Sequence, residues 1–219
     1  MKLFFRIFGW LFSLFVMVSC HTASPQHITV EKENELDSAG INKEDYFRYL
    51  DIKGITYEYP PIDHICEYDA LIKAEAERIG WDWRLLASII YQESHFKPNL
   101  INEKGAFGLM QLMPVTMGKY GIDYDSSVEE QLHAAGQILL FFDRELPKSI
   151  SDNIERRKFI LASYNAGLGY VLKARTRTEQ HGKNPDIWTC NVEEYAPKQT
   201  FYFVREITKR YSYYKKTIK

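Results

Sequence analysis

Several things are scarce in this sequence, and each scarcity excludes something. Basic residues are not in excess: 28 Lys and Arg stand against 29 Asp and Glu, for a net charge of −1. A nucleic-acid partner is therefore not expected, because the positive footprint such proteins carry is missing. Long apolar runs are confined to the N-terminus. Strand-like alternation of apolar and polar residues is scarce, and no internal repeat is visible. The six histidines, at positions 21, 27, 64, 95, 133 and 181, show no ligand spacing, so neither a metal nor a cofactor is expected. Cysteine is rare, with three in 219 residues. What is present is ordinary for a globular chain: 45% apolar and 26% charged residues, which excludes wholesale disorder. Aromatics are plentiful at 15%; such rings fill cores and can also line a sugar groove.

The N-terminus reads as an address. Lys2 and Arg6 precede an uncharged run over residues 7–19. That run is shorter than the roughly 20 residues a spanning helix needs, and suits the apolar region of a secretion signal. It ends in Val16-Met17-Val18-Ser19-Cys20, a small residue followed by Cys. This resembles a bacterial lipoprotein cleavage box, with Met17 where Leu is usual. The resemblance implies that residues 1–19 are removed and that Cys20 carries lipid. It places the protein in the bacterial cell envelope, anchored to a membrane and facing the periplasm, the outer membrane being favoured. Cys66 and Cys190 would then share a disulfide-permissive compartment. A bridge between them and two separate buried thiols are both open readings. Residues 20–61 are polar and charge-rich, broken by Pro60-Pro61, and read as a flexible tether. Residues 62–219 form the folded domain, long enough for one core.

That domain reads as mainly α. Asp63 is a candidate N-cap for a helix carrying Ile65, Tyr68, Ile72, Ala76 and Ile79 at helical spacing, ended by Gly80. Asp82 caps a second helix through Leu85, Leu86, Ile89, Ile90 and Glu93. Pro114 opens a third. Ser126-x-x-Glu129 and Ser127-x-x-Glu130 are both capping-box patterns for a fourth, with Leu132, Leu139, Phe142 and Leu146 on one side. Asp152 or Asn153 starts a fifth that stops near Gly167. A sixth covers about 168–178 and a last about 198–211. A short hairpin is expected at Gly105–Gly108, the sequence from Tyr211 onward reads as a fraying basic tail, and Lys173, Arg175 and Arg177 read as a solvated basic face.

Glu93 breaks the pattern of its own helix. Ile89 and Ile90, four and three residues before it, share its face. A carboxyl at the end of an apolar face is desolvated, which raises its pKa and favours the protonated form. Cleavage of a glycosidic bond needs such an acid to protonate the leaving oxygen.

Three further blocks accompany it: Glu93-Ser94; then Gly105-Ala106-Phe107-Gly108-Leu109-Met110-Gln111-Leu112-Met113-Pro114; then Ala162-Ser163-Tyr164-Asn165-Ala166-Gly167. In this order and spacing they resemble the soluble lytic transglycosylases, glycoside hydrolase family 23, over residues 62–210. The resemblance implies a lysozyme-like helical domain, expected to be a monomer, that cuts the β-1,4 bond between N-acetylmuramic acid and N-acetylglucosamine in the glycan strands of peptidoglycan. It implies that Glu93 is the acid and then the base. Gly108, Leu109, Met110, Gln111 and Met113 would line the saccharide groove. Tyr164 would face the reacting sugar with Asn165 beside it, and Ser94 would help place the loop.

Most glycosidases use a second carboxylate. Between Lys104 and Ile122 this sequence has no Asp or Glu, whereas the goose-type lysozymes, hydrolytic relatives of similar layout, carry Asp there. Substrate-assisted chemistry follows, with the sugar's own C6 hydroxyl captured to give a 1,6-anhydro product. Two positions depart from the family. Asn102 stands nine residues after Glu93, where Ser is usual, and Gln199 opens Gln199-Thr200-Phe201-Tyr202-Phe203-Val204, where Glu is usual. Glu193 and Glu194 lie near enough in sequence to stand in for that Glu. The competing readings are a hydrolytic muramidase of the same fold and a wall-binding lipoprotein without turnover.

Overall fold

The computed structural model describes residues 64–218. The signal segment, Cys20, the tether and the Asp63 cap lie outside the described residues. Among the described residues seven α-helices follow one another: α1 Asp69–Ile79, α2 Trp83–Ser94, α3 Pro114–Tyr120, α4 Val128–Glu145, α5 Asn153–Ala166, α6 Leu168–Gln180 and α7 Lys198–Thr217. A 3-10 turn, Val192–Tyr195, precedes α7.

The central element is α2. Leu85, Leu86, Ala87, Ile89 and Ile90 are all buried, so the helix is apolar on nearly every side and needs neighbours all round. It packs on α7 and α1, α1 packs on α4, and α5 packs on α4, α6 and α7. Its start is fixed by Asp82, whose carboxylate accepts the Arg84 N–H at 3.0 Å. The same carboxylate takes the Arg84 guanidinium and the Tyr211 hydroxyl, and Arg84 donates to the Ile218 carbonyl, which ties α7 back onto the start of α2. Between α1 and α4 the approach is close. A Cβ on Gly136 would lie 1.6 Å from a Glu75 oxygen, so glycine makes room for the buried Glu75 and its Arg78 partner.

Most predicted boundaries hold. Ser127, not Ser126, closes the capping box with Glu130, while Ser126 bonds Asp123 in the preceding turn. Asp152 caps α5 by accepting the N–H groups of Ile154 and Glu155. Pro114 occupies the first turn of α3, and Gly167, at φ 89°, turns α5 into α6.

Four expectations are corrected. Helix α1 begins at Asp69, because the Asp69 carboxylate accepts the Ile65 and Cys66 N–H groups and holds those residues in a turn ahead of the helix. Helix α7 runs to Thr217 instead of fraying at Tyr211, because Ile207, Tyr214 and Ile218 fall on one face and are buried. The expected hairpin reduces to single antiparallel bridges, Ile101 to Phe107 and Phe107 to Leu112, on either side of the buried Phe107 ring. Arg175 is not part of a solvated face: its guanidinium donates to the Pro185 carbonyl and pairs with Asp186.

Candidate active site

Glu93 is the penultimate residue of α2. The chain leaves the helix abruptly, with His95 and Phe96 both left-handed at φ 51° and 61°. This sends residues 97–113 back across the end of α2. Ser94, fully buried, donates its hydroxyl to the Leu109 carbonyl at 2.8 Å, which brings the returning loop against the residue next to Glu93.

The loop holds itself through side-chain amides. The Asn102 carbonyl oxygen accepts the N–H groups of Lys104 and Ala106. The Gln111 amide donates to the Leu100 and Gly108 carbonyls, with its own backbone left-handed at φ 47°. Gln131 of α4, which sequence reading missed, secures the loop from below. Its oxygen accepts the Leu109 N–H at 2.9 Å, and its nitrogen donates to the carbonyls of Pro98 and Ser126. Gly108 must be glycine here: φ is 80°, and a Cβ would lie 2.2 Å from the Gln131 oxygen. The signal for Gln131 was the one that marked Glu93, a polar residue on an apolar helix face, since Ala135 and Ile138 follow it at helical spacing.

Tyr164 of α5 completes the arrangement. Its hydroxyl donates to the Met110 carbonyl at 2.6 Å. Burial pushes its pKa well above the ordinary phenol value, and the charge of Glu93 pushes it further, so the two groups feel each other directly. Burial also lifts the Glu93 carboxyl from the ordinary 4.5 to about 8, and no charged partner offsets it. Both residues nevertheless keep some contact with solvent, the combination expected for groups set into the wall of a cleft. At neutral pH Glu93 is thus a neutral acid that can give up a proton.

A cavity of about 180 Å³ lies against Tyr164, lined also by Gln111, Met113, Lys119, Phe141 and Phe142 among others. A larger one of about 570 Å³ sits between α1 and α4 against Glu75, Arg78 and His133. Glu93 lines neither cavity, and none of the predicted site residues lines the larger one, whereas Gln111, Met113 and Tyr164 all line the smaller, which makes the smaller the better candidate despite its size.

The predicted site residues divide. Glu93, Ser94, Gly108, Gln111, Met113 and Tyr164 gather around the loop and cleft. Leu109 and Met110 do not face the cleft: both side chains are completely buried in the core, and only their backbone groups take part, the carbonyls as acceptors for Ser94 and Tyr164. Asn165 accepts the Thr200 hydroxyl at 2.8 Å, joining α5 to α7. Gln199 is exposed in the first turn of α7. Glu193 and Glu194 are occupied elsewhere, at the Cys190 N–H and at Lys183. The candidate disulfide is absent. Cys66 is half-buried near Tyr214, its thiol pushed up to about 12 mainly by burial, whereas Cys190 is exposed in the turn beside Glu193 and Lys183. Among the described residues no group of three or more His, Cys, Asp or Glu is placed to hold a metal ion.

Comparison with known proteins bears on the family and the fold. The family described as Transglycosylase SLT domain matches residues 70–187, more than half of the chain. Membrane-bound lytic murein transglycosylase F of Marinobacter nauticus is 33% identical over 172 residues, covering 77% of this chain and 34% of that protein. The same-named protein of Stutzerimonas stutzeri is 32% identical, covering 71% and 32%. The chain thus spans about a third of the length of these relatives. Among solved structures, the 70 kDa soluble lytic transglycosylase of Escherichia coli superposes with a TM-score of 0.51 at 26% identity, over 68% of this chain and 24% of that one. An inactive mutant of the lytic transglycosylase Slt from Pseudomonas aeruginosa gives 0.50 at 24% identity, over the same shares, and shares the fold. With the family model matching more than half of the chain and a relative 33% identical over 77% of it, the chain belongs to the transglycosylase SLT-domain family.

Proposed function

We propose that this chain is a peptidoglycan lytic transglycosylase, cleaving the β-1,4 bond between N-acetylmuramic acid and N-acetylglucosamine and leaving a 1,6-anhydro end. The observation that carries the reading is Glu93, a carboxyl kept protonated by burial at the end of α2, within electrostatic reach of Tyr164 and paired with no cation. Protonated Glu93 gives its proton to the glycosidic oxygen as the bond to C1 breaks. The muramic sugar's N-acetyl carbonyl stabilises the positive charge developing at C1. Glu93, now a carboxylate, takes the proton of the C6 hydroxyl, and that oxygen closes on C1. Capture by a hydroxyl of the same sugar outruns bulk water through its effective concentration. Gln111 and Met113 offer a polar and an apolar contact at the cleft, and Tyr164 stands beside the acid. Residues 1–19 act as the signal, and lipid on Cys20 holds the domain to the membrane, the outer one being favoured.

The hydrolytic alternative needs a second carboxylate to position water, and residues 104–122 contain none. The test is mass spectrometry of peptidoglycan digested by the full chain, with Glu93→Gln as control. Anhydro-muramic ends that vanish in the variant support the proposal. Reducing ends, heavier by one water, overturn it in favour of a muramidase. Binding without new ends overturns it in favour of a wall-binding protein.

A further inference from the structure

Lys119 lines the same cavity as Tyr164 and Gln111. It is exposed, in the last turn of α3. Its ammonium sits over two aromatic rings, 4.8 Å from the centre of Phe141 and 5.4 Å from that of Tyr120. Arg144 approaches the Phe141 ring as well, at 5.7 Å, but Arg144 is already paired with Glu145 at 3.3 Å. No carboxylate among the described residues lies within ion-pair distance of Lys119. The rings hold the ammonium without neutralising it, so a full positive charge is presented at the mouth of the cleft in a chain whose net charge is negative.

We propose that Lys119, steadied by Phe141 and Tyr120, pairs with a free carboxylate of the peptide stem carried by the glycan strand, and so sets which strands are cut efficiently. The inference rests on the reading that the cleft takes peptidoglycan. That polymer explains the cation. Its sugars are uncharged once the lactyl group is amide-linked to peptide, so the stem's own carboxylates are the anions a strand in the cleft brings near Lys119. The pair forms at the surface, where an ion pair is worth a factor of a few. A helix-end lysine can also serve only to complement the last carbonyls of α3, and the experiment must separate these roles.

Three substrates of matched length suffice, cut by the full chain: strands with free stem carboxylates, the same strands with every carboxylate chemically amidated, and strands stripped of stems, which expose the lactyl carboxylate instead. The expected result is a kcat/KM about two- to five-fold higher on free stems than on amidated ones, with stem-free strands resembling the amidated. Lys119→Met should bring the free-to-amidated ratio close to one, and Lys119→Arg should keep it. A wild-type ratio of one overturns the proposal. So does a Lys119→Met protein that melts lower yet keeps the wild-type ratio, which would make Lys119 structural. A preference extending to stem-free strands overturns it in favour of the lactyl group. If the wild type yields no new ends on any of the three, the proposed activity fails and this inference with it; cutting without discrimination removes only the inference.

Discussion

A carboxyl whose pKa burial has raised weakens the fold that buries it, and Glu93→Gln should reveal by how much. In the unfolded chain Glu93 ionises near 4.5; in the folded protein it does so at about 8. Below pH 4.5 both states hold the proton and there is no penalty. Between 4.5 and about 8 the unfolded chain releases it and the folded protein does not, so stability falls steadily across that window and levels off above it. Over the 2.5 units from 4.5 to 7 the full shift costs on the order of 3 kcal/mol. Partial solvent contact at Glu93 reduces this, so Gln, neutral at every pH, should stabilise the protein by about 1–3 kcal/mol at pH 7. For a domain of this size that is a rise in Tm of about 3–9 °C. At pH 4 the two proteins should melt nearly together. Paired melts at pH 4 and pH 7 measure the difference directly. The variant should also be inactive, and wild-type cleavage should decline as pH passes through about 8 and the acid loses its proton. A gain of equal size at both pH values, or a loss at pH 7, would refute the claim that burial holds Glu93 protonated.

Two further outcomes are expected. Gly108→Ala combines a left-handed φ with a Cβ driven into the Gln131 oxygen, so it should cost at least about 2 kcal/mol in a denaturant melt and lower turnover. Gly80→Ala, at φ 70° with open space around it, should cost only about 1 kcal/mol, and equal losses at the two positions would remove the steric reasoning. Cys20→Ala should move the protein from the membrane to the soluble fraction; retention on membranes would rule out lipid at that residue as the anchor.

The parts of this fold that could be read in advance are those written in local chemistry. As caps and turns, Asp82, Ser127 with Glu130, Asp152, Pro114 and Gly167 each shape the chain within about three residues of themselves, as their patterns imply. Glu93 was visible because helical spacing alone puts it beside Ile89 and Ile90. What could not be read depends on contacts distant in sequence. Trp188 is almost fully buried, edge-on to Phe159, in a segment with no periodicity, and it is fixed by the Glu155 carboxylate accepting its backbone N–H from 33 residues away. The end of α7 looked like a tail until Arg84 and Asp82 of another helix were seen to hold it. Gly108, Leu109, Met110, Gln111 and Met113 were read together as lining the groove, yet tight turns point Leu109 and Met110 into the core and leave Gln111 and Met113 at the cleft. Nothing in the order of residues separates those two sets, because the split comes from the left-handed turns at Gly108 and Gln111. The cysteines pose the same problem, since pairing depends on a distance that neither position encodes.

The Gln131 amide has one more consequence. Surface loops usually open and close on their own, ahead of the helices they connect. Here the loop along the cleft hangs on a side chain of α4, so exchange of the Leu109 amide with solvent should follow the opening of that helix rather than the fraying of a loop. The loop thereby shares the persistence of the core. Under the proposed function, a rim held in this way would stay open, which suits a polymer that must slide in, be cut and move on with its far ends still outside.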